Sequence, residues 1–169
     1  LVVKRELPLL VGDRIVLRLL EQNDLPLTLL WRNQDTIRKW FINTDVIQEA
    51  KHLAWFERYT KLDNDFIFVI LAKDLDNLPV GQISLYNINW EIGRAEYGRL
   101  MIGNPVAKGK GYARQATTLL LELAFNILNI NEVFLEVKPD NKSAIAIYES
   151  AGFTITKQSS DLITMTTRK

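Results

Sequence analysis

Cysteine is missing from all 169 residues, so no disulfide, thiolate nucleophile or cysteine-containing zinc site can form. Histidine is nearly missing too. His52 is the only one, and with no His/Asp/Glu cluster at ligand spacing no metal is expected. Neither sign of charge dominates: 21 Lys plus Arg against 20 Asp plus Glu leave a net charge of +1. That balance gives no support to nucleic-acid or anionic-membrane binding. No apolar run approaches the ~20 residues of a membrane span. The opening LVVKRELPLLVGDR holds no apolar stretch of signal-peptide length, which leads to the expectation of a cytoplasmic location. Internal repeats, low-complexity tracts and interdomain linkers are also lacking. What is there, 47% hydrophobic and 24% charged residues, is ordinary for a globular protein. One domain over residues 1–169, long enough to bury a core, is the simplest organisation.

DRIVLRLL, from Asp13 to Leu20, reads as a first strand. Asn23 or Asp24 offers an N-cap for a short helix through Leu30 and Trp31, and WRNQDTIRKWF reads as a turn with another short helix. Asp45 and Gln48 have capping-box spacing, predicting a helix from about Val46 to Thr60. DFIFVILA, VGQISLYNI and RAEYGRLMI then read as three strands of an antiparallel meander, because their connections are too short for crossover helices. From Gly111 to Leu128 the pattern turns helical, with Ala113, Ala116, Leu120, Ala124 and Ile127 near one face. EVFLEV is a short strand, and Asn141 caps a helix that stops at Gly152. Two strands close the chain, Thr154 to Gln158 and Leu162 to Thr166. The expected fold is mixed α+β, with a central, mostly antiparallel twisted sheet flanked by helices.

The stretch AKGKGYARQ, Ala107 to Gln115, sets two glycines and two lysines directly before the long helical pattern. It is not a Walker A loop, which needs GxxxxGK[ST]. As a dinucleotide fingerprint it fails where Arg114 replaces the third small residue and where the preceding strands are antiparallel. Unpaired amides at a helix N-terminus nevertheless favour a phosphate, glycine lets the backbone approach it, and Lys108 and Lys110 add positive charge. The plain structural reading is a basic turn that caps a helix.

RLMIGNPVAKGKGYA resembles the acetyl-CoA pyrophosphate signature of the GNAT N-acetyltransferase superfamily, R/Q-x-x-G-x-G/A. Lys108 stands at the R/Q position, Gly111 at the glycine and Ala113 at the last small residue; the lysine is a departure. DNKSAIAIYESAGF is similar to the family's second landmark, with Asn141, Tyr148 and Gly152-Phe153 in place. The resemblance implies acetyl-CoA as cosubstrate. Its pyrophosphate would be held by Lys108, Gly109, Lys110, Gly111, Tyr112 and Ala113. Its pantetheine would lie on the backbone of Leu100, Met101 and Ile102, with a further contact to Asn141. It also implies direct transfer to an amine, with Tyr148 as the acid that protonates the departing thiolate; packed in the core, Tyr148 would be structural only. Strand alternation puts Glu96 on one face with Gly98 and Leu100, either as the general base or in a salt bridge.

The N-terminal segments WRN and HLAWF resemble GNAT enzymes that acetylate nucleotide-linked amino sugars, while AEYG and IGNP resemble the branch of ribosomal-protein N-terminal acetyltransferases. On that resemblance Trp31, Arg32, Asn33, Phe41 and His52, with Trp40 and Trp55 nearby, would build the acceptor pocket, Arg32 meeting a phosphate. For His52 the reading as a solvated or packed helix residue comes first. The expected partner is a small primary amine, with an amino sugar ahead of a peptide N-terminus. A non-catalytic acyl-CoA sensor is the alternative of a different class, and a homodimer through an exposed terminal strand is compatible with the sequence.

Overall fold

A computed structural model describes residues 4–169. The strongest β-forming run, β3 (Phe66–Ala72), sits inside the sheet and is buried on both faces, which explains its unbroken apolar sequence. It pairs antiparallel with β4 (Leu78–Asn89), and β4 with β5 (Arg94–Ile102), giving the expected meander. On its other side β3 pairs with β2 (Ile15–Leu19), and the short β1 (Leu10–Val11) forms that edge. Helix α4 (Tyr112–Glu122) crosses over to β6 (Glu132–Val137), which lies parallel to β5. After α5 (Lys142–Ser150) come β7 (Thr154–Gln158) and β8 (Ile163–Arg168); β8 inserts between β6 and β7. The result is an eight-stranded sheet in the order β1-β2-β3-β4-β5-β6-β8-β7, antiparallel except at β5–β6.

Helices cover both faces. Phe66, Phe68 and Ile70 pack with Ala116 and Leu120 of α4 and with Ala144 and Tyr148 of α5 in one cluster. Ile67 and Val69 point the other way, packing with Leu20, Leu25, Phe56 and Tyr59. Leu20 follows β2, and the other three come from α1 (Leu25–Arg32) and α3 (Glu49–Tyr59), between which α2 (Asp35–Arg38) forms a single turn. Gly152, at φ +101°, ends α5 as expected.

Three local expectations are corrected. Helix α3 starts at Glu49, not near Val46, and its N-cap Gln48 makes no side-chain capping bond. The Asp45 amide is instead held by Asn43 Oδ1 at 2.9 Å, inside a loop from 39 to 48. Ile127 is exposed rather than core, because the last turn of α4 widens into a π-turn, Leu123–Ile127. The amide of Leu128 reaches back to Leu123 O at 2.9 Å, so Leu123 and Leu128 take the buried places. Strand alternation also fails beyond Gly98. Gln82 opposes Met101 and Ser84 opposes Gly98, leaving two β5 residues against Ile83, and Arg99 sits at φ +53°. This bulge puts the Arg99 guanidinium over the Tyr86 ring, 4.0 Å from its centroid, while Leu100 turns to pack on the α4–α5 core.

One further feature positions the site. β5 pairs with β6 only from Arg94 to Glu96; beyond that the two strands part, and the rest of β5 runs along an open cleft.

Candidate active site

The loop after β5 opens α4 with its amides free. Gly109 (φ +73°) and Gly111 (φ +81°) are left-handed, and a side chain added at either would meet open space. The amides from Gly109 to Arg114 donate no hydrogen bond within the described residues; the first helical bond there is Gln115 N to Gly111 O, 3.2 Å. Such a cradle, with Lys108 and Lys110 beside it, suits a phosphate. Its base is clamped from the far side of the chain. Arg14 donates to Lys110 O (2.6 Å) and pairs with Asp74, and the Tyr112 hydroxyl donates to Asp74 Oδ1 (2.7 Å). The Tyr112 bond, with the Arg14 bonds, holds the Asp74 carboxyl below its ordinary range. Nothing in the sequence signalled this clamp, since its members are far apart along the chain.

A groove of about 880 Å³ runs from this loop along the open edge of β5 to α5. Leu100, Met101, Ile102, Lys108, Gly109, Lys110, Gly111, Tyr112, Ala113 and Asn141 all line it, so the expected donor-site residues converge on one surface. Asn141 also caps α5, accepting from the Ala144 amide at 3.4 Å, so its structural role is present as well.

At its inner end the groove meets a second cavity of about 380 Å³, the two sharing Trp40, Leu100, Asn141 and Tyr148. Glu96 lines this second cavity together with Tyr148. The Tyr86 hydroxyl donates to Glu96 Oε2 (2.7 Å) and Asn87 Nδ2 to Oε1 (3.1 Å), and no arginine among the described residues pairs with it. Tyr86 opposes Glu96 in the sheet register and fits because residue 98 is glycine: a Cβ there would lie 2.9 Å from the Tyr86 hydroxyl. Tyr148 packs edge to face on Tyr97 at 5.3 Å and is buried. Burial, opposed by the Tyr97 hydroxyl, raises its pKa above that of a free tyrosine, so it stays protonated.

A third cavity, about 390 Å³, lies on the α1–α3 side and shares Arg32, Phe41 and Arg99 with the second. Arg32 stacks on Phe41 at 4.1 Å and donates to Asn43 O; His52, stacked on Trp55 at 5.0 Å, lines the same space. Burial lowers the His52 pKa, favouring the neutral ring. Trp31 and Asn33, also expected here, line none of these cavities. Trp31 is buried against Gly103, where a Cβ would meet its indole at 2.0 Å. Asn33 exchanges hydrogen bonds with Ile47 (2.8 and 2.9 Å) and thereby pins the 39–48 loop as a roof. Lys138 reaches that roof too, donating to Lys39 O at 2.7 Å. Residues that sequence reasoning missed here are Tyr86, Arg99, Lys51 and Arg58. The first was legible as the cross-strand neighbour of Glu96, and the last two as helical neighbours of His52 and Trp55.

A sheet parted between two parallel strands, with a free amide cradle at one end of the cleft and a carboxylate and a phenol at the other, defines an acyl-CoA-dependent transferase. Comparison with known proteins agrees: residues 14–154 match the family described as acetyltransferase (GNAT) domain, and the chain belongs to it. It is an acetyl-CoA-dependent N-acetyltransferase. The spermidine N(1)-acetyltransferase of Escherichia coli K12 is 30% identical over 143 residues, 83% of this chain and 73% of that one. Alpha/beta-tubulin-N-acetyltransferase 9 of Drosophila melanogaster is 26% identical over 164 residues, covering 88% and 80%. In fold, the chain resembles the crystal structure of spermidine N-acetyltransferase from Vibrio cholerae in complex with CoA and spermine. The TM-score is 0.83, the identity 23%, and 93% of this chain and 96% of that one are covered.

Proposed function

We propose that this enzyme acetylates the primary amine of a small molecule, with an amino sugar as the leading candidate, by direct transfer between Glu96 and Tyr148. The observation that carries this is the adjacency of the three cavities. Glu96 and Tyr148 line the middle one, which shares Trp40, Leu100 and Asn141 with the groove on one side and Arg32, Phe41 and Arg99 with the α1–α3 cavity on the other. When bound, acetyl-CoA supplies an activated acetyl thioester. Glu96, held by Tyr86 and Asn87, takes a proton from the acceptor ammonium, directly or through water. The freed amine forms the C–N bond as the C–S bond breaks, the Tyr148 hydroxyl gives its proton to the leaving sulfur, and the newly acylated nitrogen sheds its second proton to water to leave the neutral amide. Glu96 returns its proton to solvent, and Tyr148 recovers one from solvent. The exposed backbone around Leu100 is available to hydrogen-bond the thioester oxygen.

Relatives named for spermidine make a polyamine the second reading. Because the chain has no cysteine, a thiol reagent reports CoA release with no background from the protein. The test is a panel of amino sugars, spermidine and short peptides followed in this way, for the wild type and for Tyr148→Phe. The expected result is turnover of a small amine, a kcat lower by about 10² in the variant, and unchanged calorimetric binding of acetyl-CoA. An unchanged kcat removes Tyr148 from the chemistry. Binding of acetyl-CoA with no amine ever acetylated supports a sensor.

A further inference from the structure

The acceptor cavity has a pronounced charge bias. Arg32, Lys51, His52, Arg58 and Arg99 line it, and no carboxylate does. Arg99 is paired, with Asp65 at 2.8 Å, but Arg32, Lys51 and Arg58 form no ion pair among the described residues. Lys51, Trp55 and Arg58 recur at helical spacing, so α3 turns one cationic-aromatic face to the cavity. Arg32 is the decisive residue. Only 9% of it is exposed, Nη2 is spent on Asn43 O, and Nη1 has no partner among the described residues. Nε2 of His52 is buried and unpartnered in the same cavity. A buried donor without an acceptor is costly, and an unpaired buried guanidinium more so. A ligand that fills this cavity therefore gains most by bringing an oxyanion to Arg32 and His52. A polycation meets the unpaired charges of Arg32, Lys51 and Arg58 and no carboxylate.

Building on the acceptor reading above, we infer that the amine this enzyme acetylates also carries an oxyanion, phosphate or carboxylate, which docks on Arg32 and His52 while its amine reaches Glu96. Arg32, Phe41 and Arg99 line both cavities, so the two adjoin at these side chains. Lys51 and Arg58, exposed at the rim, draw the anion in.

Two measurements test it. His52 is the only histidine, so its imidazole signals in NMR need no assignment by mutation. With CoA saturating the donor loop, inorganic phosphate and then acetate are titrated into the protein. A saturable shift of the His52 signals, absent in Arg32→Gln, is expected; no shift with either anion overturns the inference. The second measurement compares kcat/KM for matched amines: an amino sugar, its phosphate ester and its nucleoside-diphosphate form, and an amino acid beside its amide. An anionic member is expected to exceed its neutral twin by about tenfold or more, and the set that does so identifies phosphate or carboxylate as the source. The ratio collapses in Arg32→Gln. The rim double variant Lys51→Glu with Arg58→Glu, on an exposed helix face, lowers it as well and serves if Arg32→Gln does not fold. A preference for the neutral twin or for spermidine overturns the inference while leaving an amine acetyltransferase. If no amine is acetylated although CoA binds, the acceptor reading itself has failed, and the phosphate and acetate titrations decide the anion site by themselves.

Discussion

Two glycines separate what the site needs from what the fold needs. At Gly111, φ is +81° and a built Cβ meets nothing within 4 Å, so the space beside it belongs to the donor groove. Gly111→Ala incurs only left-handed strain, about 1 kcal/mol. Its methyl intrudes where the phosphate must approach, so acetyl-CoA binding should weaken about tenfold or more. Gly103 is the reverse: a Cβ would stand 2.0 Å from Trp31 Cγ, and the indole has no room to retreat because it is buried. Gly103→Ala should therefore lose about 1–3 kcal/mol of stability. Denaturant unfolding and calorimetric titration of both variants check the pair. Equal losses of stability, or a larger binding defect in Gly103→Ala, would contradict this division of labour.

At the scale of elements, β5 does the most, and it was read only in part. Its existence and its antiparallel partner were legible in RAEYGRLMI. The bulge was not, because period-two alternation assumes that every residue keeps its place in the ladder. Arg99 holds a left-handed φ of +53° because its guanidinium is secured from two sides, by Asp65 and by the Tyr86 ring. That contact crosses from β5 to the start of β3 and leaves no trace in local sequence. The capping-box reading at Asp45 failed for a related reason: long-range bonds from Arg32, Asn33 and Lys138 fix the 39–48 loop as a roof. The glycine loop was legible as a basic, free-amide helix start because glycine φ, helix start and basic charge are all local properties. Removing the carboxylate in Asp65→Ala strands a half-buried Arg99, and the expected loss is about 3 kcal/mol. Asp65→Asn, which can still accept a hydrogen bond, should lose less. Chemical denaturation of the two variants measures this, and equal stabilities would show that the Arg99 contact carries no charge-dependent share.

For the whole molecule, stability against pH is tied to the entry of the chain onto the sheet. Lys4 Nζ donates to Tyr59 O at 2.7 Å and lies 3.5 Å from the centroid of the Tyr59 ring. Burial lowers the Lys4 pKa to about 8, from 10.5 in the open chain; Asp65 opposes the fall and Arg99 adds to it. Between those two values the unfolded chain binds a proton that the folded protein has released. Stability from this group therefore rises as pH climbs through the window, and its charge penalty is fully present below about 8. The cation–π contact and the bond to Tyr59 O offset part of that penalty. In Lys4→Met the ammonium is gone, so the variant cannot share in the rise. Tm of the wild type minus Tm of Lys4→Met should become more positive from neutral pH to about pH 10. A difference that stays flat would place the Lys4 ammonium in water rather than against Tyr59. A difference that falls would mean the carboxylates near Lys4 outweigh its desolvation, reversing the sign of the linkage.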